Sequence, residues 1–113
     1  MLEIEIAGLR LKNPTILASG IMGSTGSSLR RVAKEGGAGA VVTKSVGIEP
    51  REGHSNPTVI EIEGGLLNAV GLSNPGIGEF KSEIEAAKKG GVPVIVSVFG
   101  FAVQEFADVA ADA

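Results

Sequence analysis

Apolar and polar positions alternate strictly at the start of the chain: Leu2, Ile4 and Ile6 interleave with Glu3 and Glu5, and after Ala7-Gly8 the pattern resumes as Leu9 and Leu11 against Arg10 and Lys12. A period of two sends successive side chains to opposite faces of a strand. This stretch therefore predicts a two-stranded hairpin with a glycine-containing turn, ended by Asn13-Pro14. Thr15 to Ser19 (TILAS) reads as a short buried strand. It stops at Gly20, and a loop rich in Gly, Ser and Thr runs to Ser27-Ser28. Either serine is placed to cap a helix, LRRVAKEGG, with Leu29, Val32 and Ala33 on its inner face and Gly36-Gly37 at its end.

Ala40 to Val46 (AVVTKSV) is a nearly continuous β-branched run, the pattern of a strand covered on both faces in a parallel sheet. Gly47 to Pro57 is polar and full of breakers, hence a loop, and Thr58 to Gly65 (TVIEIEGG) returns to alternation as a second surface hairpin strand. From Gly76 to Lys89 the positions Ile77, Phe80, Ile84 and Ala87 recur at helical spacing, and Gly90-Gly91 close that helix. Pro93 to Val98 (PVIVSV) is another buried strand, and VQEFADVAADA opens a further helix with Val103, Phe106, Ala107 and Ala110 on one side. Three strand-helix units in series make the fold class α/β with a parallel sheet. An open doubly wound sheet and part of a βα barrel both fit. No G-x-G-x-x-G joins a strand to a helix, which weakens a dinucleotide-binding sheet.

Composition narrows the chemistry. A length of 113 residues suits one small domain, or part of one, and 43% apolar with 20% charged residues is ordinary for a folded chain. The net charge of -3 and scattered basic residues leave no footprint for nucleic acid. Absence of cysteine excludes disulfides and thiolate metal or iron-sulfur sites built from these residues, and the single histidine, His54, does not make a metal centre. No apolar run approaches the roughly 18 residues that span a bilayer, so no membrane association and a cytoplasmic location are expected.

Sites in parallel α/β folds gather at the C-terminal ends of the strands. Strand one ends in Ser19, strand two in Lys44-Ser45 and strand three in Ser97, which suggests one shared pocket. Ala40, Val42 and Lys44 share one face by alternation, and an ammonium there is expensive to bury without an anionic partner. The competing reading has Lys44 snorkelling to solvent and the serines satisfying nearby backbone groups. Asn68 offers a donor and an acceptor suited to the edge of an amide-like ring, and Gly71 lets backbone approach a ligand. Turn stabilisation explains Asn68 equally well. Asn74 before Pro75 reads as structural, an Asx-turn leading into Gly76 and the helix. His54, in a polar loop, reads as a solvated imidazole, and the carboxylates as solvated faces with no pair spaced for acid/base work.

KNPTILASG, VVTKSV, the Asn-Pro of the following loop and above all LLNAVGLSNPG resemble the N-terminal third of class 1 dihydroorotate dehydrogenases, closest to the NAD-linked class 1B form. The resemblance covers essentially the whole chain, in order and spacing. It implies that residues 1–113 are the incomplete N-terminal segment of a single FMN-binding (β/α)8 TIM barrel preceded by a β-hairpin. It implies FMN contacts at Ser19, Lys44, Ser45 and Ser97. It also implies a substrate site for dihydroorotate or orotate made of Lys44, Asn68, Ala69, Val70, Gly71 and Leu72. Ser97 departs from the relatives, which often hold Asn there, and a hydroxyl replaces only one amide hydrogen bond.

In the family the base is a Cys or Ser on a loop after the fourth strand, expected beyond Ala113, so no catalytic residue is named. The flavin phosphate donors are expected from later loops. A partner subunit carrying FAD and an iron-sulfur cluster, and association of identical chains, are further implications. The alternatives are a related dihydropyrimidine dehydrogenase-type flavin domain and a non-enzymatic α/β anion-binding module. An open half-barrel leaves sheet edges and helix faces bare, so the segment expressed alone is expected to be inactive and either poorly soluble or oligomeric.

Overall fold

The computed structural model describes residues 2–113. Its chain begins with the expected hairpin, β1 (Ile4–Ile6) antiparallel to β2 (Leu9–Leu11), with Ile4 opposite Leu11 and Ile6 opposite Leu9. Ala7 and Gly8 both take positive φ, 50° and 79°, as a two-residue turn matched to strand twist requires.

The central sheet has three parallel strands in the order β3 (Ile16–Leu17), β4 (Ala40–Val42), β7 (Val94–Ile95). Leu17 lies opposite Val41, and Val41 opposite Val94. All three strands are shorter than the apolar runs predict, and Thr43 shows why for the last two. Its Oγ1 accepts the Ser97 N–H at 3.0 Å, so a side chain stands in for a rung of the ladder. The chains remain alongside one another, with Thr43 N donating to Ile95 O at 2.9 Å and a parallel bridge between Val46 and Val98.

Helices α1 (Gly26–Lys34) and α2 (Ile77–Lys88) pack together and cover one face of the sheet. Leu29, Ala33, Ala38, Val41 and Ala87 form one buried cluster flanked by Leu17, Val32, Val92 and Val94. Val46, Ile77, Phe80, Ile84 and Val109 form a second, flanked by Val96 and Val98. The four apolar positions predicted for α2 are all buried. Coverage of both sheet faces is not found. Val42 and Ile95, which alternate with the helix-facing Val41 and Val94, are half-buried, and Ile16 is 41% exposed.

Two further expectations are corrected. The cap of α1 is Thr25, whose Oγ1 accepts the Ser28 N–H at 3.2 Å, and the helix starts three residues earlier than Leu29. In α3 (Val103–Asp112) the buried residue is Val109, whereas Val103 is 88% and Phe106 45% exposed. α3 meets α2 through Val109 and an exposed Lys81–Asp112 pair, so the predicted stripe has no neighbour among the described residues.

The predicted strand after Pro57 is β5 (Val59–Ile62), and it pairs with β6 (Gly65–Asn68) in a second hairpin. β6 takes up Leu66, Leu67 and Asn68, to which the sequence reading gives no strand. The architecture is mixed α/β: a parallel sheet with helices on one face, and two separate antiparallel hairpins. No helix among the described residues is long and apolar enough to cross a membrane.

Candidate functional site

Because the three central strands are parallel and in register, the residues that follow them emerge at one end. The Ser45 hydroxyl lies 2.8 Å from the Ser97 hydroxyl and 3.4 Å from that of Ser19, so the tips of β4, β7 and β3 are joined by a line of three serines. Lys44 is half-buried beside this line, and its ammonium has neither a hydrogen bond nor an ion pair among the described residues. The Lys44 backbone is fixed instead: its N–H donates to Gly23 O at 2.9 Å. Gly23 ends a short 3-10 turn, Ile21–Gly23, pressed so closely on the strand end that a Cβ there would lie 2.5 Å from Lys44 N and 2.8 Å from Thr43 C.

A cleft of about 360 Å3 opens at this point, lined by Ile21, Lys44 and Ser45 on one side and by Val70, Ser73 and Asn74 on the other. The volume lies within the range of small-molecule sites. The cleft brings Lys44 and Ser45 together with Val70 of the segment after β6, whereas Ser19 and Ser97, expected to share one pocket with them, do not line it. Of the residues Asn68 to Leu72, Val70 lines it. Asn68 stands at the end of β6 opposite Val59, exposed, with no side-chain hydrogen bond among the described residues.

Asn74 holds the far wall. It is 9% exposed, its Oδ1 accepts from Gly76 N at 2.9 Å and from Gly47 N at 3.2 Å, and its Nδ2 donates to Leu72 O at 2.8 Å. The bond to Gly76 is the predicted Asx-turn into α2. The bond to Gly47 ties that turn to the chain leaving β4.

Other polar groups do more than the sequence reading gives them. His54 is exposed, but its Nδ1 lies 2.9 Å from Ala69 O, and its ring packs on Gly71. It is therefore no freely solvated imidazole. Arg51 Nε donates to Gly71 O at 2.8 Å, and its guanidinium lies 5.3 Å over the Phe101 ring. Two carboxylates meet helix starts, where unpaired N–H groups favour negative charge. Glu83 accepts from Gly26 N, and Glu105 accepts from Phe101 N at 2.6 Å. Glu105 carried a weak signal, an acidic residue in the first turn of a predicted helix. The contacts of Arg51 and His54 join loops with no periodicity and carried none.

Known proteins resemble this chain closely. It is 59% identical over 103 residues to the dihydroorotate dehydrogenase B (NAD(+)) catalytic subunit of Methanocella arvoryzae, covering 91% of this chain and 34% of that protein. The identity to the protein of the same description from Methanosarcina acetivorans is 60% over 107 residues, 94% of this chain and 34% of the relative. For the one from Pyrococcus furiosus it is 54% over 106 residues, 94% and 35%. The chain thus spans about a third of the length of the curated relatives it matches. The family profile described as dihydroorotate dehydrogenase matches residues 1–112, nearly the full length, and the chain accordingly belongs to the dihydroorotate dehydrogenase family.

Proposed function

We propose that this chain is the N-terminal part of a (β/α)8 barrel that binds FMN and oxidises dihydroorotate to orotate in pyrimidine biosynthesis, in the cytoplasm. The observation that carries the reading is the half-buried, unpartnered Lys44 ammonium beside the Ser19–Ser45–Ser97 line, at the end of a parallel sheet where such folds keep their sites. The open face of the sheet, with Ile16, Val42 and Ile95 only partly covered, supports a sheet continued by further strand-helix units. Family membership supplies the substrate class.

The residues present suit a flavin. Three hydroxyls can donate to or accept from ring heteroatoms, and an ammonium that lacks a protein anion favours an electron-rich ring. Ser19, Lys44, Ser45 and Ser97 would hold the group. When bound, FMN supplies the acceptor for a hydride equivalent.

Lys44 also faces the cleft across from Val70, where it can pair with a substrate carboxylate and orient the ring. The N–H groups of Val70, Gly71 and Leu72 make no hydrogen bond among the described residues, which leaves them available as donors to an acceptor ligand, and of the three residues Val70 lines the cleft. Asn68, Ala69 and Leu72 complete the proposed substrate segment. No carboxylate, histidine or thiol lines the cleft, and the family resemblance puts the proton acceptor on a later loop, beyond Ala113. The relatives are named as catalytic subunits, which supports a second subunit; that this subunit transfers electrons through FAD and an iron-sulfur cluster, and that identical chains associate, is what the family resemblance implies.

The test uses the protein expressed from its native reading frame. It should be yellow and release FMN on denaturation, and orotate should perturb the flavin spectrum where uracil does not. Lys44→Met should lower dihydroorotate oxidation by about 100-fold. A colourless protein defeats the flavin reading. A response to uracil alone moves the chain to a dihydropyrimidine dehydrogenase-type role.

A further inference from the structure

Residues 51–54 run alongside residues 69–74 and bind them at five points. Arg51 and Asn74 exchange backbone hydrogen bonds of 2.8 and 2.9 Å, and His54 N donates to Val70 O at 3.1 Å. Arg51 Nε takes the Gly71 carbonyl, and His54 Nδ1 faces the Ala69 carbonyl. Three successive carbonyls, those of Ala69, Val70 and Gly71, are thus held by one strap, while the amides of Val70, Gly71 and Leu72 are left free among the described residues. A carbonyl oxygen only accepts, so His54 Nδ1 must carry the proton in this contact. Gly71 has φ +79°, and a Cβ on it would lie 2.9 Å from His54 Cγ and from His54 N, so the glycine is what allows the imidazole to lie against the segment. The guanidinium over Phe101 anchors the strap to the loop beyond β7.

We infer that His54 and Arg51 are positioning residues for the segment Val70–Leu72, of which Val70 lines the cleft. By occupying its carbonyls they fix which way its peptide planes face, so that amides rather than oxygens are offered to the bound anion. The inference rests on the reading of that segment as substrate-binding. Neither side chain lines the cleft that Lys44 faces, so both act through the backbone they hold. A segment already ordered loses less freedom on binding, and the effect belongs to affinity rather than to the chemical step.

The experiment compares His54→Leu, His54→Asn and Arg51→Met in the protein expressed from its native reading frame, measuring flavin content, orotate affinity by flavin absorbance, and KM and kcat for dihydroorotate. Asparagine carries an N–H donor at the same number of bonds from the backbone as Nδ1, and leucine carries none. His54→Leu and Arg51→Met should each raise the orotate Kd and the dihydroorotate KM by about five- to tenfold, with flavin content and kcat within about twofold of native. His54→Asn should bind orotate within about twofold of native. Native orotate affinity in both His54→Leu and Arg51→Met, with flavin retained, overturns the inference and leaves the substrate reading intact. Loss of flavin in both variants also overturns it, because the strap then serves the fold. A native protein that holds flavin but no orotate defeats the substrate reading, and the inference with it.

Discussion

Asn74→Ala is the substitution whose effect the structure fixes most fully. The side chain is nearly buried and makes three hydrogen bonds, two of which satisfy the N–H groups of Gly47 and Gly76, themselves buried residues. A buried donor left without a partner costs about 1–3 kcal/mol. The Gly76 bond is the better one at 2.9 Å and the Gly47 bond the weaker at 3.2 Å, so the pair together accounts for about 3 kcal/mol. Asn74→Asp keeps both acceptor contacts. It loses only the donor to Leu72 O and sets two oxygens against each other there, for about 1–2 kcal/mol. Equilibrium urea unfolding reads this directly. With a slope of about 3 kcal/mol per molar, alanine should lower the midpoint by about 1 M and aspartate by roughly one to two thirds of that. An alanine variant within about 0.5 kcal/mol of native refutes the reasoning. So does an aspartate variant as unstable as alanine, because that ordering would place the energy in the donor instead of the acceptor.

Two other substitutions probe local devices. Thr25→Ala should destabilise by about 1 kcal/mol through loss of the cap on α1, while Ser27→Ala should stay within about 0.5 kcal/mol, and thermal unfolding of the two would show a reversed order if a serine were the cap after all. Gly23→Ala drives a methyl into the backbone of Thr43 and Lys44, where no flexible side chain can yield. It should cost about 1–3 kcal/mol and weaken FMN binding at least about tenfold in a fluorescence titration of the apoprotein. Native flavin affinity in that variant would show that the Lys44 backbone position does not matter to the site.

Most of the regular structure was legible in the sequence because it follows from periodicity. The helix of Ile77, Phe80, Ile84 and Ala87 buries all four residues, and the hairpin of Leu2 to Leu11 forms around Ala7-Gly8. Where local chemistry competes with pattern, the sequence misleads. Thr25 outcompetes two adjacent serines for one cap, and the Thr43 hydroxyl interrupts strands whose apolar runs continue past it. The stripe on α3 is a correct pattern without a surface to meet among the described residues.

The proximity of Ser19, Ser45 and Ser97 was legible only as a class of position, strand ends in a parallel sheet. The 2.8 Å contact depends on a register that no single strand encodes. The strap of Arg51 and His54 was not legible at all, since pairs such as Arg51–Gly71 and His54–Ala69 join loop residues 20 and 15 positions apart.

Three hydroxyls in series have a property that no single one has. Each carries one hydrogen and can turn, so the whole row can run its protons in either direction without any oxygen moving. Read from one end the row terminates in a hydrogen, and after a concerted turn it terminates in a lone pair. In the proposed flavin reading, a ring that gains a proton as it is reduced, and loses it again on reoxidation, could thus be met at the same edge in both states by an unmoved wall. The long 3.4 Å gap at Ser19 is the weakest coupling in the row, and so the place where a guest can break in and set its sense.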